Sequence, residues 1–309
     1  MAELLDSDPR KVKDWTIRAR IGSGGTGVVY DGVNSQGQRA AIKVLRPDLA
    51  DNQSVRARLR REAELLMRVS GGRTAAVYEV DADHTPPFIA MEFVSGVTLA
   101  EFVEKNGPIR GALAWSLVDA AIQALAAIHA AGIIHRDLKP SNILLGEDGV
   151  KVVDFGISVL QEASTSTHTG ALVGTVAWLS PEQITGEKIS EASDVFNLGM
   201  VLAYALSGSH PFGLGRPDAV MFRVAHGEPN LTGISHNFVP FITSCLEKDP
   251  KQRPTLNSLK SLLGKIDTSD SSQPSSTNAT GTIVVDRTYL EQVAVNASLR
   301  SHADSKISE

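Results

Sequence analysis

Hydrophobic and polar positions along the 309-residue chain fall into two regimes. In the first third, short apolar runs are separated by turn-forming residues: after Tyr30 the segment DGVNSQGQRAAIKVL reads as strand, turn and strand, with Asn34-Ser35-Gln36-Gly37 as the turn. PPFIAMEFV, ending at Val94, reads as a further strand. Between them, from about Ser54 to Val69, apolar Val55, Leu59, Ala63, Leu66 and Val69 recur at spacings of three and four, which predicts one helix with one buried face. After Ser95-Gly96 the pattern becomes helical and stays so to about Gly264. Residues 111 to 134 form an Ala-rich helix interrupted by Asp119, Gln123 and His129, and NLGMVLAYALSG holds about twelve apolar-rich residues, against the roughly twenty that a membrane span needs. Both read as buried helices of a large helical lobe, so no membrane span is expected. From Asp267 to Thr282, nine of sixteen residues are Ser or Thr with no apolar period, which reads as a disordered linker. The expected organisation is an arm over 1–14, a strand-rich lobe over 15–94, a helical lobe over 95–264 and a Ser/Thr-rich tail over 265–309. The fold class expected is α+β with two lobes, and no internal repeat is visible.

Composition narrows the function classes. Thirty Lys plus Arg against thirty-five Asp plus Glu leave a net charge of −5, which implies no general attraction to nucleic acid or to a membrane surface. The single cysteine, Cys245, lies in the apolar FVPFITSCL and reads as a buried small hydrophobe. The opening MAELLDSDPRKVKDW has no apolar signal region, so a cytoplasmic location is expected.

Candidate chemistry sits at the junctions of these elements. IGSGGTGVVY contains a GxGxxG of Gly22, Gly24 and Gly27. By itself that also opens dinucleotide-binding βαβ units, but here a strand-turn-strand follows, so the glycines cap a hairpin. The second strand carries Lys43 in Ala41-Ile42-Lys43, and Glu62 lies beside the apolar face of the next helix. Residues 135–142 read HRDLKPSN, and twelve residues after Asn142 the run VKVVDFG brings Asp154-Phe155-Gly156. His-Arg-Asp, an Asn five residues beyond the Asp, and a later Asp-Phe-Gly together form the constellation that phosphoryl-transfer enzymes use around the γ-phosphate of ATP.

On these residues the chain resembles the protein kinase superfamily over about residues 15 to 264, and within it the bacterial Hanks-type serine/threonine kinases of the PknB-like group. The closer likeness rests on RREA around Glu62, MEFVSGVTL and GTVAWLSPEQ. The resemblance implies a bilobal kinase fold with an antiparallel N-lobe sheet, one N-lobe helix and a mainly helical C-lobe. It implies Asp137 as base, Lys139 as the cation beside the γ-phosphate, Asn142 and Asp154 as ligands of Mg²⁺, with Mn²⁺ as the alternative, and a Lys43–Glu62 ion pair. For ATP it implies contacts from Ile21, Gly22, Ser23, Gly24, Gly25, Thr26, Gly27, Val29, Ala41, Lys43, Met91, Glu92, Val94 and Leu144. Lys139, two positions after the base, implies serine/threonine acceptors. Asp194 and Arg253 match the family's helix-F aspartate and the late arginine that pairs with Glu182 of Ser180-Pro181-Glu182. Thr167 and Thr169 occupy the spacing at which this group autophosphorylates, and Arg58 and Arg136 are candidate phosphate partners.

The implied activity is that of an ATP-dependent, non-specific serine/threonine protein kinase acting on proteins and on itself. A pseudokinase scaffold would normally have lost one of Lys43, Glu62, Asp137, Asn142 or Asp154. A kinase-like small-molecule phosphotransferase would lack the glycine hairpin and the peptide-binding GT and SPE elements. Candidate partners are Ser/Thr protein substrates, an FHA domain reading a phosphorylated tail at Thr280 or Thr282, and a second copy for trans-autophosphorylation. Residues 70–75, SGGRTA, depart from the family's turn after the N-lobe helix and leave that connection open.

Overall fold

A computed structural model describes residues 1–47, 52–146, 148–154 and 176–265. The strand-rich part is a six-stranded antiparallel sheet in the order β1-β2-β3-β4-β6-β5, built from β1 Lys11–Val12, β2 Trp15–Gly24, β3 Gly27–Val33, β4 Arg39–Leu45, β5 Val77–Asp81 and β6 Phe88–Glu92. Helix α1, Gln53–Arg68, lies against one face of it. Its periodicity is the expected one: Val55, Leu59 and Leu66 are buried with Val69 just beyond, and Val55 and Leu59 pack with Leu45, Ile89 and Met91. The Asn52 side chain caps its start by accepting from the Ser54 and Val55 amides.

Residues 1–14 do not stand apart as an arm. Lys11 and Val12 pair with Thr16 and Trp15, and Ala2 forms an antiparallel bridge with Arg20, so the N-terminus extends the sheet past β2. The SGGRTA connection is also resolved: Ala75 N–H donates to Val152 O at 3.2 Å and Val152 N–H to Arg73 O at 2.8 Å, tying the turn after α1 to the second lobe.

That lobe begins with a small sheet of β7 Gly96–Thr98, β8 Ile143–Gly146 and β9 Gly149–Val152. Its helices are α2 Leu99–Asn106, α3 Gly111–Ala130, α4 Pro181–Thr185, α5 Glu191–Ser207, α6 Pro217–His226, α7 Val239–Cys245 and α8 Leu256–Leu263. Helix α5 is buried nearly all round, Gly208 ending it with a left-handed φ of 80°. Gly199 lets α7 approach closely, since a Cβ there would lie 2.8 Å from Cys245 Cβ. Cys245 is buried as expected, and burial pushes its thiol pKa up to about 12. Helix α3 is, among the described residues, the one helix long and apolar enough to cross a membrane. Here Leu117, Val118, Ala121, Ile122, Leu125 and Ile128 bury their side chains in the same core as α5. The two-lobed α+β architecture is the one expected.

Candidate active site

The cleft between the lobes has an N-lobe wall set by strand register. Val29 pairs with Lys43, and Ala41 with Met91, so these four side chains share one face of β3, β4 and β6. Met91 and Lys43 are buried there, while Ile21, at the register shift between Arg20 and Gly22, is exposed. The glycines of the hairpin divide into two kinds. A Cβ on Gly22, Gly24 or Gly25 would meet nothing within 4 Å, whereas one on Gly27 would lie 2.1 Å from Val44 O. Gly27 therefore serves β3–β4 pairing, while the other three glycines leave open space where a side chain would stand. Ser23 and Thr26 complete the hairpin end.

Across the cleft, the chain leaves α3 and runs through His135–Lys139 to a short 3₁₀ turn, Pro140–Asn142, and into β8, where Leu144 is half-buried. Its backbone is held by Asp194 of α5, which has no solvent exposure. Asp194 Oδ2 accepts from His135 N–H at 2.8 Å and Oδ1 from Arg136 N–H at 2.8 Å, with His129 Nε2 2.7 Å from Oδ2. Arg136 sits at φ 64°, a conformation a non-glycine residue keeps only when its surroundings impose it. Gln183 Nε2 donates to Arg136 O at 2.8 Å and fixes the next peptide, the one that leads to Asp137. Burial lowers the pKa of His135, leaving a neutral ring whose Nδ1 accepts from Asp137 N–H at 3.3 Å.

The result is a linked set of polar groups. Lys139 Nζ lies 2.8 Å from Asp137 Oδ2. Asn142 Nδ2 donates to Asp137 O at 2.8 Å and to Oδ2 at 3.3 Å, which leaves Asn142 Oδ1 for another partner. Val153 N–H donates to Asn142 O at 2.9 Å, placing Asp154 beside this loop with φ 59°. Lys43 Nζ reaches over from the N-lobe to Asp154 Oδ1 at 3.2 Å. The structure thus brings Lys43, Asp154, Asn142, Asp137 and Lys139 together. Lys43 pairs here with Asp154 and not with Glu62, which is half-buried on α1. At the lobe junction Glu92 accepts from Ala76 N–H at 3.2 Å and pairs with Lys151 of β9, while Val94 is half-buried beside it.

Below the site Glu182 and Arg253 form a bidentate pair at 2.7 and 2.9 Å with both side chains buried. The remaining Arg253 N–H groups go to the carbonyls of Ala192, Glu247 and Lys248, so all five donors are used. Burial alone would raise the Glu182 pKa, but hydrogen bonds from Arg253 and Ser193 outweigh it and hold the carboxyl below its ordinary range. Residues missed in the sequence complete the frame: His129 of α3, which meets Asp194, Gln183 of α4, which meets the Arg136 carbonyl, Lys151 at the lobe junction, and His210, whose Nε2 donates to Ala177 O at 2.9 Å. No period marks them, because each works through one long-range polar contact. Phe155, Gly156, Thr167, Thr169, Gly174, Thr175 and the tail from residue 266 lie outside the described residues, as does the Arg58 side chain.

Comparison with known proteins agrees with this geometry. Residues 15–262 match the protein kinase domain family. The chain is 38% identical over 262 residues to the serine/threonine-protein kinase AfsK of Streptomyces coelicolor, covering 84% of this chain and 33% of that protein. It is 36% identical over 271 residues to the "Probable serine/threonine-protein kinase PkwA" of Thermomonospora curvata, covering 88% of this chain and 36% of that protein. It is 38% identical over 225 residues to the serine/threonine-protein kinase PknB of Mycobacterium tuberculosis, covering 69% and 36%. The chain spans about a third of the length of these relatives. It belongs to the protein kinase family, in its bacterial Hanks-type, PknB-like branch.

Proposed function

We propose that this chain transfers the γ-phosphoryl group of ATP to serine and threonine hydroxyls of proteins, itself included. The observation that carries the reading is the gathering of two polar sets, Lys43 on Asp154 and Asn142 and Lys139 on Asp137, joined by the Val153 N–H bond to Asn142 O beside Asp154. Phosphoryl transfer spreads negative charge over oxygen atoms, so positioned cations and dipoles do most of the work. Asp137 orients the acceptor hydroxyl and takes its proton, and Lys139, already 2.8 Å from that carboxylate, offsets the charge on the transferring group. Lys43 binds the α- and β-phosphates under the open hairpin of Gly22, Ser23, Gly24, Gly25 and Thr26. Ile21, Val29, Ala41 and Leu144 enclose the adenine, with Met91 behind it and the backbone of Glu92 and Val94 at its edge.

The carboxylate of Asp154 and the unengaged Oδ1 of Asn142 are hard oxygens, the donor set that suits Mg²⁺, with Mn²⁺ as the alternative. A divalent ion held there would supply charge neutralisation at the phosphates. An inward shift of α1 would bring Glu62 to Lys43 and draw the lysine off Asp154, leaving that carboxylate free for the ion. Thr167 and Thr169 are the proposed autophosphorylation sites that control this shift. Trans-autophosphorylation calls for a second copy of the chain, and a phosphorylated tail would suit an FHA domain; the proposed location is cytoplasmic.

The test is incubation of the protein with labelled ATP and Mg²⁺ followed by phosphosite mapping, beside Asp137→Asn. Label on Ser or Thr that the substitution abolishes is expected. Equal labelling of Asp137→Asn would overturn the assignment of the base, and label absent from both proteins and from peptide substrates would overturn the activity.

A further inference from the structure

The N-terminal segment returns along β2 in two places. Ala2 N–H donates to Arg20 O at 2.9 Å and Arg20 N–H to Ala2 O at 3.0 Å, and Ile17 N–H donates to Arg10 O at 3.0 Å. Between these contacts the chain folds back at Asp8, whose carboxylate is 2% exposed. Asp8 Oδ1 accepts from Arg20 Nε at 3.2 Å, Arg20 Nη2 at 2.9 Å and Tyr30 Oη at 2.8 Å, and Oδ2 accepts from Leu5 N–H at 2.8 Å. Burial would favour the neutral acid, but these hydrogen bonds outweigh it and lower the Asp8 pKa, so the group is ionised at neutral pH.

Arg20 and Tyr30 have a particular place. They are cross-strand partners of β2 and β3, and beyond them only Gly22–Val29, Ser23–Val28 and Gly24–Gly27 remain before the hairpin ends. The register shift that exposes Ile21 begins at Arg20. The β3 arm of the hairpin is carried by β4 through Gly27–Leu45, Val28–Val44 and Val29–Lys43, whereas the β2 arm beyond Arg20 pairs, among the described residues, with β3 alone and its glycines face open space. The position of that β2 arm over the cleft therefore depends on the Arg20–Tyr30 pair beneath it and on the strap that holds Arg20. The segment also reaches the lobe junction, where Arg39 Nη2 lies 3.7 Å from Met1 Sδ while its guanidinium stacks 3.6 Å above the Phe93 ring.

We infer that Asp8 is a positioning residue for nucleotide binding: through Arg20 and Tyr30 the N-terminal strap sets the base of the β2 arm of the glycine hairpin, and so the place of Gly22 and Gly24 over the phosphates. The inference rests on the reading of Gly22–Gly27 as the phosphate-binding hairpin. Asp8 touches no substrate, and its effect belongs to the nucleotide and not to the peptide. Asp8→Asn keeps the shape of the side chain but gives up the charge and one acceptor oxygen, and Tyr30→Phe removes a single donor.

The experiment measures KM for ATP, KM for a peptide substrate and Mg·ADP affinity in the full chain, for wild type, Asp8→Asn, Asp8→Ala, Tyr30→Phe and Lys43→Met, with thermal unfolding and amide exchange alongside. Asp8→Asn and Asp8→Ala are expected to raise KM for ATP and Kd for Mg·ADP about tenfold, the order of one hydrogen bond made to an ionised group, with the peptide KM within about twofold. Tyr30→Phe should give a smaller rise in the same constants. Exchange should quicken across Gly22–Val29 and stay unchanged across α5. A lowered melting temperature with unchanged nucleotide constants in Asp8→Asn and Tyr30→Phe would make Asp8 merely structural and overturn the inference. Should Asp8→Ala fail to fold, those two milder variants decide the matter. Wild type that binds no Mg·ADP, or Lys43→Met that binds it equally well, would overturn the nucleotide-site reading itself, and the inference with it.

Discussion

Replacing Asp194 by Asn should loosen the catalytic loop while leaving nucleotide binding intact. The carboxylate is fully buried and serves the amides of His135 and Arg136 and the ring of His129. Asn has nearly the same volume but only one acceptor oxygen, and its NH₂ group would face N–H donors. In either orientation of the amide at least one backbone N–H loses its acceptor. A hydrogen bond to an ionised group contributes about 1.5–3 kcal/mol, and a stranded buried donor costs about 1–3 kcal/mol. Release of Arg136 from φ 64° returns part of this, since such strain is of order 1–3 kcal/mol. The net loss expected is about 2–4 kcal/mol. At about 2–4 °C per kcal/mol for a domain of this size, Tm should fall by about 4–16 °C. Asp137 directly follows the released peptide, and a displacement of about 1 Å at a reacting group costs on the order of a hundredfold in rate. Single-turnover transfer to a peptide at saturating ATP, below the new Tm, should therefore slow about a hundredfold, with KM for ATP within about twofold. Full single-turnover rate together with an unchanged Tm would refute the claim that Asp194 holds the loop.

Three further outcomes follow from the same geometry. Lys43→Met and Asp137→Asn should each nearly abolish transfer while changing stability by no more than about 1–2 kcal/mol, as measured by denaturant unfolding, because both side chains act in the cleft and not in the core. Arg253→Met should cost about 3–5 kcal/mol by stranding the buried Glu182, and Glu182→Gln in the same chain should recover part of that loss; no recovery in the double variant would mean that the pair is not the source of the cost. His210 has its pKa lowered by burial and is needed neutral, with Nε2 donating to Ala177 O and Nδ1 accepting from Phe212 N–H at 3.2 Å. A depressed folded value means that the unfolded chain binds the proton more readily, so this contribution is complete above the unfolded value of about 6.5 and is lost as pH falls below it. The acid-side decline of Tm should be shallower in His210→Asn than in wild type, and equal slopes would remove His210 from the account.

Elements with a period were legible before any coordinates. The spacing of Val55, Leu59, Leu66 and Val69 placed α1 to within a residue at each end, because burial of one face imposes that spacing. The two lobes were legible for the same reason: the period changes after Ser95-Gly96. Motif spacing brought Asp137, Asn142 and Asp154 forward, and the fold bonds Asn142 to Asp137 and sets Asp154 beside them through the neighbouring Val153 amide. What stayed hidden was the pairing of polar groups far apart in the chain. Lys151 lies within an apolar run and its partner Glu92 is 59 residues away; His129 looked like an interruption of an apolar helix, and its partner Asp194 is 65 residues away. Periodicity reports which side of an element is buried, but it does not say which buried acceptor will meet which donor. How the segment 1–14 attaches was hidden on the same ground: it has little apolar pattern, and beside its backbone pairing with β2 it is tied by one carboxylate, Asp8, meeting Arg20 and Tyr30.

The hairpin glycines and the strained residues of the loop show two different reasons for breaking local rules. Gly27 is demanded by the fold, because any side chain would collide with the Val44 carbonyl, and it would be needed whatever the protein bound. Gly22, Gly24 and Gly25 have open space around them, so nothing among the described residues explains their lack of a side chain. A backbone stripped of side chains towards a cleft is what a phosphate-binding surface requires, since only then can amide groups reach the oxygens. Arg136 and Asp154 carry the opposite signature: both have side chains and both adopt positive φ, where glycine would have been the easier choice. Strain persists where the surroundings over-determine it, and here Asp194 and Gln183 hold the amide and the carbonyl of Arg136 from opposite sides. At Asp154 the side chain has a use that glycine could not supply, since it meets Lys43. Rule-breaking that packing explains marks the scaffold, and rule-breaking that packing leaves unexplained marks the site. By that criterion the open glycines above and the strained loop below delimit one cleft, with Lys43 spanning it.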